Sequence, residues 1–184
     1  LVGRDPRPMS YEDVATLRSL ARWVESEFEL LALDQQRQQL SDELIEAKRR
    51  SMIDPLTQGW NRRGMDDLIP REIDRAHREG SATGLMLIDL DRFKSLNDQY
   101  GHLVGDQALA EVAGRIRNSI RPQDILARYG GDEFAVFLGK CERRNLLEIA
   151  DRILGQVRKS PVTSAGYKAS VSIGVAAVSE AGEH

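Results

Sequence analysis

The chain has 184 residues, 41% of them hydrophobic and 30% charged, with a formal net charge of −3. That is enough for one good-sized globular domain plus an appendage, and it excludes a basic field that would draw the protein to nucleic acid or to a membrane surface. Cys141 is the sole cysteine, so no internal disulfide can form and a reducing cytoplasm is expected; no apolar run approaches the length of a membrane span.

The first residue is Leu1 and no signal peptide opens the chain, so an excised piece of a longer protein is expected. Leu1–Pro8 reads as the tail of something upstream. Ser10 then opens a long helix, because Ser-x-x-Asp, with Asp13 at the third position, forms a capping box. Val14, Leu17, Ala21, Val24, Phe28 and Leu31 recur at alternating steps of three and four, which is an a/d seam. The polar run "DQQRQQ" interrupts the seam, and Leu40, Leu44 and Ala47 resume it in another phase. Such a stripe suits either a helix packed on its own domain or a two-stranded coil joining a sensor to an output domain. Asp54-Pro55 stops the helix, since a residue before proline is pushed out of the α region. The expected organisation is therefore a tail and helix over 1–50 and a compact domain over 51–184.

Within that domain Met65, Leu68, Ile69, Ile73 and Ala76 mark a helical face that ends at Gly80. Leu85–Leu90 is an apolar run broken only by Asp89, as expected of a strand buried on both faces. Gly105–Ile120 is predicted helical, with Leu109, Val112, Ala113, Ile116 and Ile120 on one side. Ile125–Tyr129 and Glu133–Leu138 read as two strands around a Gly-Gly turn. Leu146, Ala150, Ile153 and Val157 mark another helix, closed by Pro161. Apolar residues from Ala169 to Ala177 alternate with Ser170, Ser172 and Gly174, which predicts a strand with one face on the core. The order strand, helix, strand, strand, helix, strand is the split βαβ arrangement, an α+β fold of the ferredoxin-like or palm-like kind. A mostly antiparallel sheet with helices on one face is expected.

Two loci carry carboxylates. One is "LIDLDRFKSLNDQYGH", with Asp89 and Asp91 at the end of a strand; the other is the Gly130–Glu133 turn. In this topology the hairpin tip approaches the end of Leu85–Leu90, so Asp89 and Asp132 can converge on one divalent ion. Magnesium suits such a pair, because it takes few carboxylates and keeps positions for phosphate oxygens; His102 alone makes no zinc site. Each motif by itself is a weak signal, and the two together at strand ends are a strong one.

The segments "DPLTQGWNRRG", "LIDLDRFKSLNDQYGHLVGDQAL", "RYGGDEF" and "SVSIGVA" resemble, in this order, the GGDEF domain of diguanylate cyclases, over about residues 51 to 178. The resemblance implies a cyclase that condenses two GTP into cyclic di-GMP and two pyrophosphates, acting as a homodimer and inhibited by its product. Magnesium is the implied cofactor, with manganese as a substitute. It implies that Asp89, the carbonyl of Leu90, Asp132 and Glu133 hold metal, with Asp132 also the base toward the ribose 3′-hydroxyl. Arg92 and Phe93 would offer backbone N–H groups, and Lys94 its ammonium, to phosphate, while Gly130 and Gly131 let the backbone approach it. Asn97 and Asp106 would read guanine. Arg121 and Asp124 of "RPQD" resemble an inhibitory product site, with Arg152 as a further member.

Bland readings stand beside these: Arg92 and Lys94 as surface charges, Asn97 as a polar helix residue, Asp106 as a carboxylate favoured by the helix dipole, Arg121 as a helix-end arginine. His102 is read as a hydrogen-bonded structural histidine, and Cys141 is given no role. Asp54, Asn61, Arg62 and Arg63 are read as linking the incoming helix to the domain, with Trp60 where a small residue or proline is expected. The tail before Ser10 resembles the end of a GAF-type sensor. The C-terminal helix usual in the family, which carries a lysine and an arginine for the triphosphate, has no match. A GGDEF-like module that binds GTP or cyclic di-GMP without turnover is the rival reading, and a dimerising signalling element is another. Nucleic acid and membrane are not expected partners.

Overall fold

The computed structural model describes residues 10–178. The tail read as the end of a sensor lies outside them. The chain divides into two compact units at Lys48 and Arg49. The first is carried by helix α1 (Tyr11–Arg50), which is continuous through the polar run at 34–39. Its start is the expected capping box. Ser10 N and Oγ donate to Asp13 Oδ2 at 2.9 and 2.8 Å, and Asp13 N donates back to Ser10 Oγ at 3.1 Å. Leu17, Val24, Phe28, Leu31, Leu40 and Leu44 are all exposed on it. The helix ends at Arg50, ahead of Asp54-Pro55. Asp54 instead closes a turn, accepting from Thr57 N and Oγ1 at 2.9 and 2.8 Å.

The second unit is a five-stranded sheet with helices. Its elements are β1 (Trp60–Asn61), α2 (Arg62–Arg78), β2 (Thr83–Leu90), α3 (Phe93–Tyr100), α4 (His102–Arg117), β3 (Ile125–Arg128), β4 (Glu133–Leu138), α5 (Arg143–Arg158) and β5 (Val171–Val178). The strand order is β1-β3-β4-β2-β5. β2 pairs antiparallel with β4 and β5, and β3 pairs antiparallel with β4. The two crossovers, β2-α3-α4-β3 and β4-α5-β5, each return to a parallel position with one strand left between, which is the expected split βαβ pattern.

Three details differ from the sequence reading. β1 adds an edge strand, parallel to β3. The helix expected at 105–120 is α4, which begins three residues earlier, and it is preceded by a separate short helix α3, with Gly101 at φ 82 between them. The helices are not all on one face. Met86, Ile88, Leu126, Phe134 and Val136 bury against α4 and α5, whereas Ala127 and Ala135, one residue out of phase, bury with Met65 of α2. Period-two alternation sends neighbouring side chains to opposite faces, so β3 and β4 are covered on both. α2 is held at its start by Asn61, whose Oδ1 accepts from Gly64 N at 2.9 Å. His102 is exposed at the first position of α4.

Candidate active site

The strand register brings the two acidic loci together. Asp89 lies opposite Glu133 in the β2–β4 pairing, and Leu90 N donates to Asp132 O at 3.2 Å. The turn before Glu133 is tight: Tyr129 N and Gly130 N both donate to Glu133 O, at 2.8 and 3.2 Å. A Cβ on Gly130 would collide with Glu133 Oε2, so the carboxylate folds over that glycine and would have to move for any larger residue. Arg128 braces the turn from β3, its Nε and Nη2 donating to Gly131 O at 3.2 and 2.8 Å. Its Nη1 reaches Asp54 Oδ2 at 3.4 Å, which ties the turn to the domain's entry loop. Arg62 lies 4.8 Å from the Tyr129 ring centroid, beside the same turn.

Asp89 and Asp91 have opposite environments. Desolvation and the nearby Asp132 and Asp91 charges raise the Asp89 pKa above its ordinary value. Asp91 accepts from Ser170 Oγ at 2.6 Å and Ser172 Oγ at 2.7 Å, which lowers its pKa. Asp91 is thus engaged on both oxygens by serines at the start of β5, while Asp89 and Asp132 are nearby carboxylates whose like charges repel. Among the described residues no three His, Cys, Asp or Glu side chains form a ready-made metal cluster. Two unneutralised carboxylates with a backbone carbonyl are a hard-oxygen donor set that fits magnesium, which completes its shell with water and phosphate oxygens.

The chain leaving β2 makes the adjoining surface. Arg92 caps α3 in the left-handed region, φ 59 and ψ 27, uncommon for a residue with a side chain. It turns the chain sharply, so that α3 starts beside Asp89 with the first-turn N–H groups of Phe93 and Lys94 at its positive end. Asn97, on α3, and Asp106, on α4, belong to two helices packed together. Asp106 is exposed, and Asn97 Oδ1 is buried with no hydrogen-bond partner. A buried acceptor without a donor is uncommon in a folded protein.

Arg121, Asp124 and Arg152 gather elsewhere, beyond the C-terminal end of α4. Arg121 N donates to Asp124 Oδ2 at 2.8 Å, and Arg152 Nε and Nη2 donate to Ser119 O at 3.0 and 2.7 Å. Asp124 precedes β3 at the strand end away from the Gly-Gly turn. Arg75 and Lys140 line a cavity with Arg121. Both are paired with Glu79, at 3.1 and 3.0 Å. They come from α2 and the loop after β4, and no spacing rule in the sequence relates those to Arg121.

Comparison with known proteins fits this geometry. Residues 51–184 match the family model described as diguanylate cyclase, GGDEF domain. The chain is 37% identical over 127 residues to diguanylate cyclase DosC of Escherichia coli K12, covering 67% of this chain and 28% of that protein. It is 37% identical over 137 residues to response regulator PleD of Caulobacter vibrioides, covering 72% and 30%. Among solved structures, the coiled coil and GGDEF domain of DgcB from Caulobacter crescentus, in complex with c-di-GMP, is 29% identical with a TM-score of 0.70, covering 86% of this chain and 82% of that one. The chain belongs to the GGDEF family. It spans less than a third of the length of these two curated relatives.

Proposed function

We propose that the protein is a diguanylate cyclase that joins two GTP molecules into cyclic di-GMP with release of two pyrophosphates. The observation that carries the reading is the placement of Asp89 and Asp132 at one end of the sheet, beside the Arg92–Lys94 turn that opens α3. Asp89, the Leu90 carbonyl, Asp132 and Glu133 would hold magnesium, with manganese as a substitute. When bound, the metal acidifies the ribose 3′-hydroxyl and offsets charge developing on the α-phosphate and leaving group. Asp132 accepts the 3′-hydroxyl proton. The 3′-oxygen forms a bond to the α-phosphorus of the facing GTP, and the bond to pyrophosphate breaks. Arg92 and Phe93 offer backbone N–H groups at the α3 start to the phosphates, and Lys94 adds its ammonium. Asp106 accepts guanine N–H donors, and Asn97 contacts the same base.

One domain holds one GTP, so two copies must face each other. The exposed apolar seam of α1 supports a homodimer built on that helix. Arg121, Asp124 and Arg152 form the product-binding site for feedback.

The test is incubation of the protein with GTP and magnesium, with the products resolved chromatographically. The wild type should yield cyclic di-GMP. Asp132→Ala should lower the rate by at least about a hundredfold, the scale of losing a catalytic base, with an unchanged melting midpoint. Product formation by the variant at the wild-type rate would remove Asp132 from the reaction. GTP binding without turnover by the wild type would replace the cyclase with a nucleotide-binding module.

A further inference from the structure

We infer that Gly105 is a specificity-positioning residue, whose missing side chain provides the seat that holds the Asn97 carboxamide toward the nucleobase. The inference rests on the reading of Asn97 as a base-contacting residue. Gly105 is buried in the first turn of α4, directly before Asp106. A Cβ there would collide with Asn97 Oδ1, stand 3.0 Å from Asn97 Cγ and 3.3 Å from Phe93 Cε2. Phe93 and Asn97 are four residues apart on α3 and share one face of it. The two helices therefore meet with the ring and the carboxamide resting on the bare Cα of Gly105.

Apart from the carboxamide and, less closely, the Phe93 ring, nothing about position 105 demands glycine. Its backbone is helical, with its N–H bonded to Gly101 O at 3.3 Å. Alanine would be the stronger helix former there. What glycine supplies is space, and the group that occupies the space is the carboxamide. The contact does not serve stability, since it buries Asn97 Oδ1 without a donor. The buried oxygen end of the amide is orphaned in this way, which leaves the N–H2 end to meet the exocyclic O6 acceptor that guanine has and adenine lacks. Asp106, one residue on, is an acceptor for the purine's N–H donors. A donor and an acceptor carried by neighbouring positions form a pair that distinguishes guanine from adenine, and Gly105 sets the distance between them.

The test is a double-mutant cycle on the full chain, read by calorimetric titration with 3′-deoxy-GTP, which binds but lacks the reacting hydroxyl. Gly105→Ala and Asn97→Ala should each weaken binding about tenfold, the effect of one lost hydrogen bond. The double variant should bind no more weakly than Asn97→Ala alone, because no carboxamide remains to be displaced. Melting midpoints give the second readout. Gly105→Ala should lower the midpoint in the wild type and not in the Asn97→Ala background. A double variant that unfolds, losses that add, or Gly105→Ala binding like wild type would each overturn the inference. If the wild type fails to bind 3′-deoxy-GTP, the nucleotide reading itself falls and this inference with it.

Discussion

Asp89 and Asp91 are the same residue type two positions apart, and the fold gives them opposite chemistry. The sequence "LIDLD" marks both as candidates. What separates them is a pair of serines 79 and 81 residues downstream, visible only once β5 is in place. The same holds for Asn97. Its residue type and motif were legible, whereas its contact with Gly105 depends on how two helices pack. Asp124 shows a third environment. Desolvation raises its pKa above the ordinary 3.8, outweighing the Arg121 N–H and the charges of Arg121 and Arg152. A raised folded-state pKa means that ionisation is harder in the folded chain than in the unfolded one. The stability contributed is then fully present below the unfolded-state value and is lost as pH rises through the folded-state value. Asp124→Asn removes the titration and keeps an acceptor for Arg121 N–H. The variant should have a higher urea midpoint than wild type at neutral pH, with the gap closing as the solution is acidified toward pH 3.8. A gap independent of pH would assign the difference to packing.

At the scale of elements, the long periodic segments were the most legible. The capping box of α1 and the apolar face of α5 follow directly from residue spacing. β1 has two residues, too short for any periodic signal, and it exists because β3 offers a free edge. The placement of α2 on the opposite face was hidden for a related reason. Ala127 and Ala135 are small, and the pattern of β3 and β4 reads as continuously apolar rather than as two faces. One anchor between elements is equally non-local. Arg115, on α4, donates to Val157 O, Ser160 O and Pro161 O at 2.8, 2.7 and 2.7 Å, and to Ser160 Oγ at 3.0 Å. It satisfies carbonyls at the end of α5 that have no helical partner. Its side chain is 11% exposed, and the bond to Val157 O is partly buried while those to Ser160 and Pro161 lie at the surface. Arg115→Ala should destabilise the domain by about 3 kcal/mol, measured by urea unfolding. Arg115→Lys should recover little, because an ammonium cannot reproduce the planar fork. A loss below about 0.5 kcal/mol, the level of an ordinary surface change, would show that the α5 end is held by packing alone.

At the scale of the molecule, the proposed active and feedback sites occupy opposite ends of β3. Four residues of strand span about 13 Å. On the proposed reading, a product molecule at Arg121 would leave the carboxylates of its own domain untouched and would act by binding domains together in an unproductive arrangement. Arg121→Ala should leave the initial rate unchanged and raise the product concentration needed for half inhibition at least about tenfold, the loss of one charge-assisted contact. Equal inhibition of variant and wild type would reduce Arg121 to a surface charge. The strand order carries a further consequence, for the birth of the protein on the ribosome. β2 holds Asp89 and is the second strand made, yet its sheet neighbours are β4 and β5, and β5 is the last strand of the sheet. Until β5 emerges, the central strand has one bare edge and Asp91 has neither serine. Synthesis runs from the N-terminus, so helix α1 is finished while the sheet is still open. If α1 pairs two copies as proposed, a chain built in this order would commit to its partner before its carboxylate site is assembled.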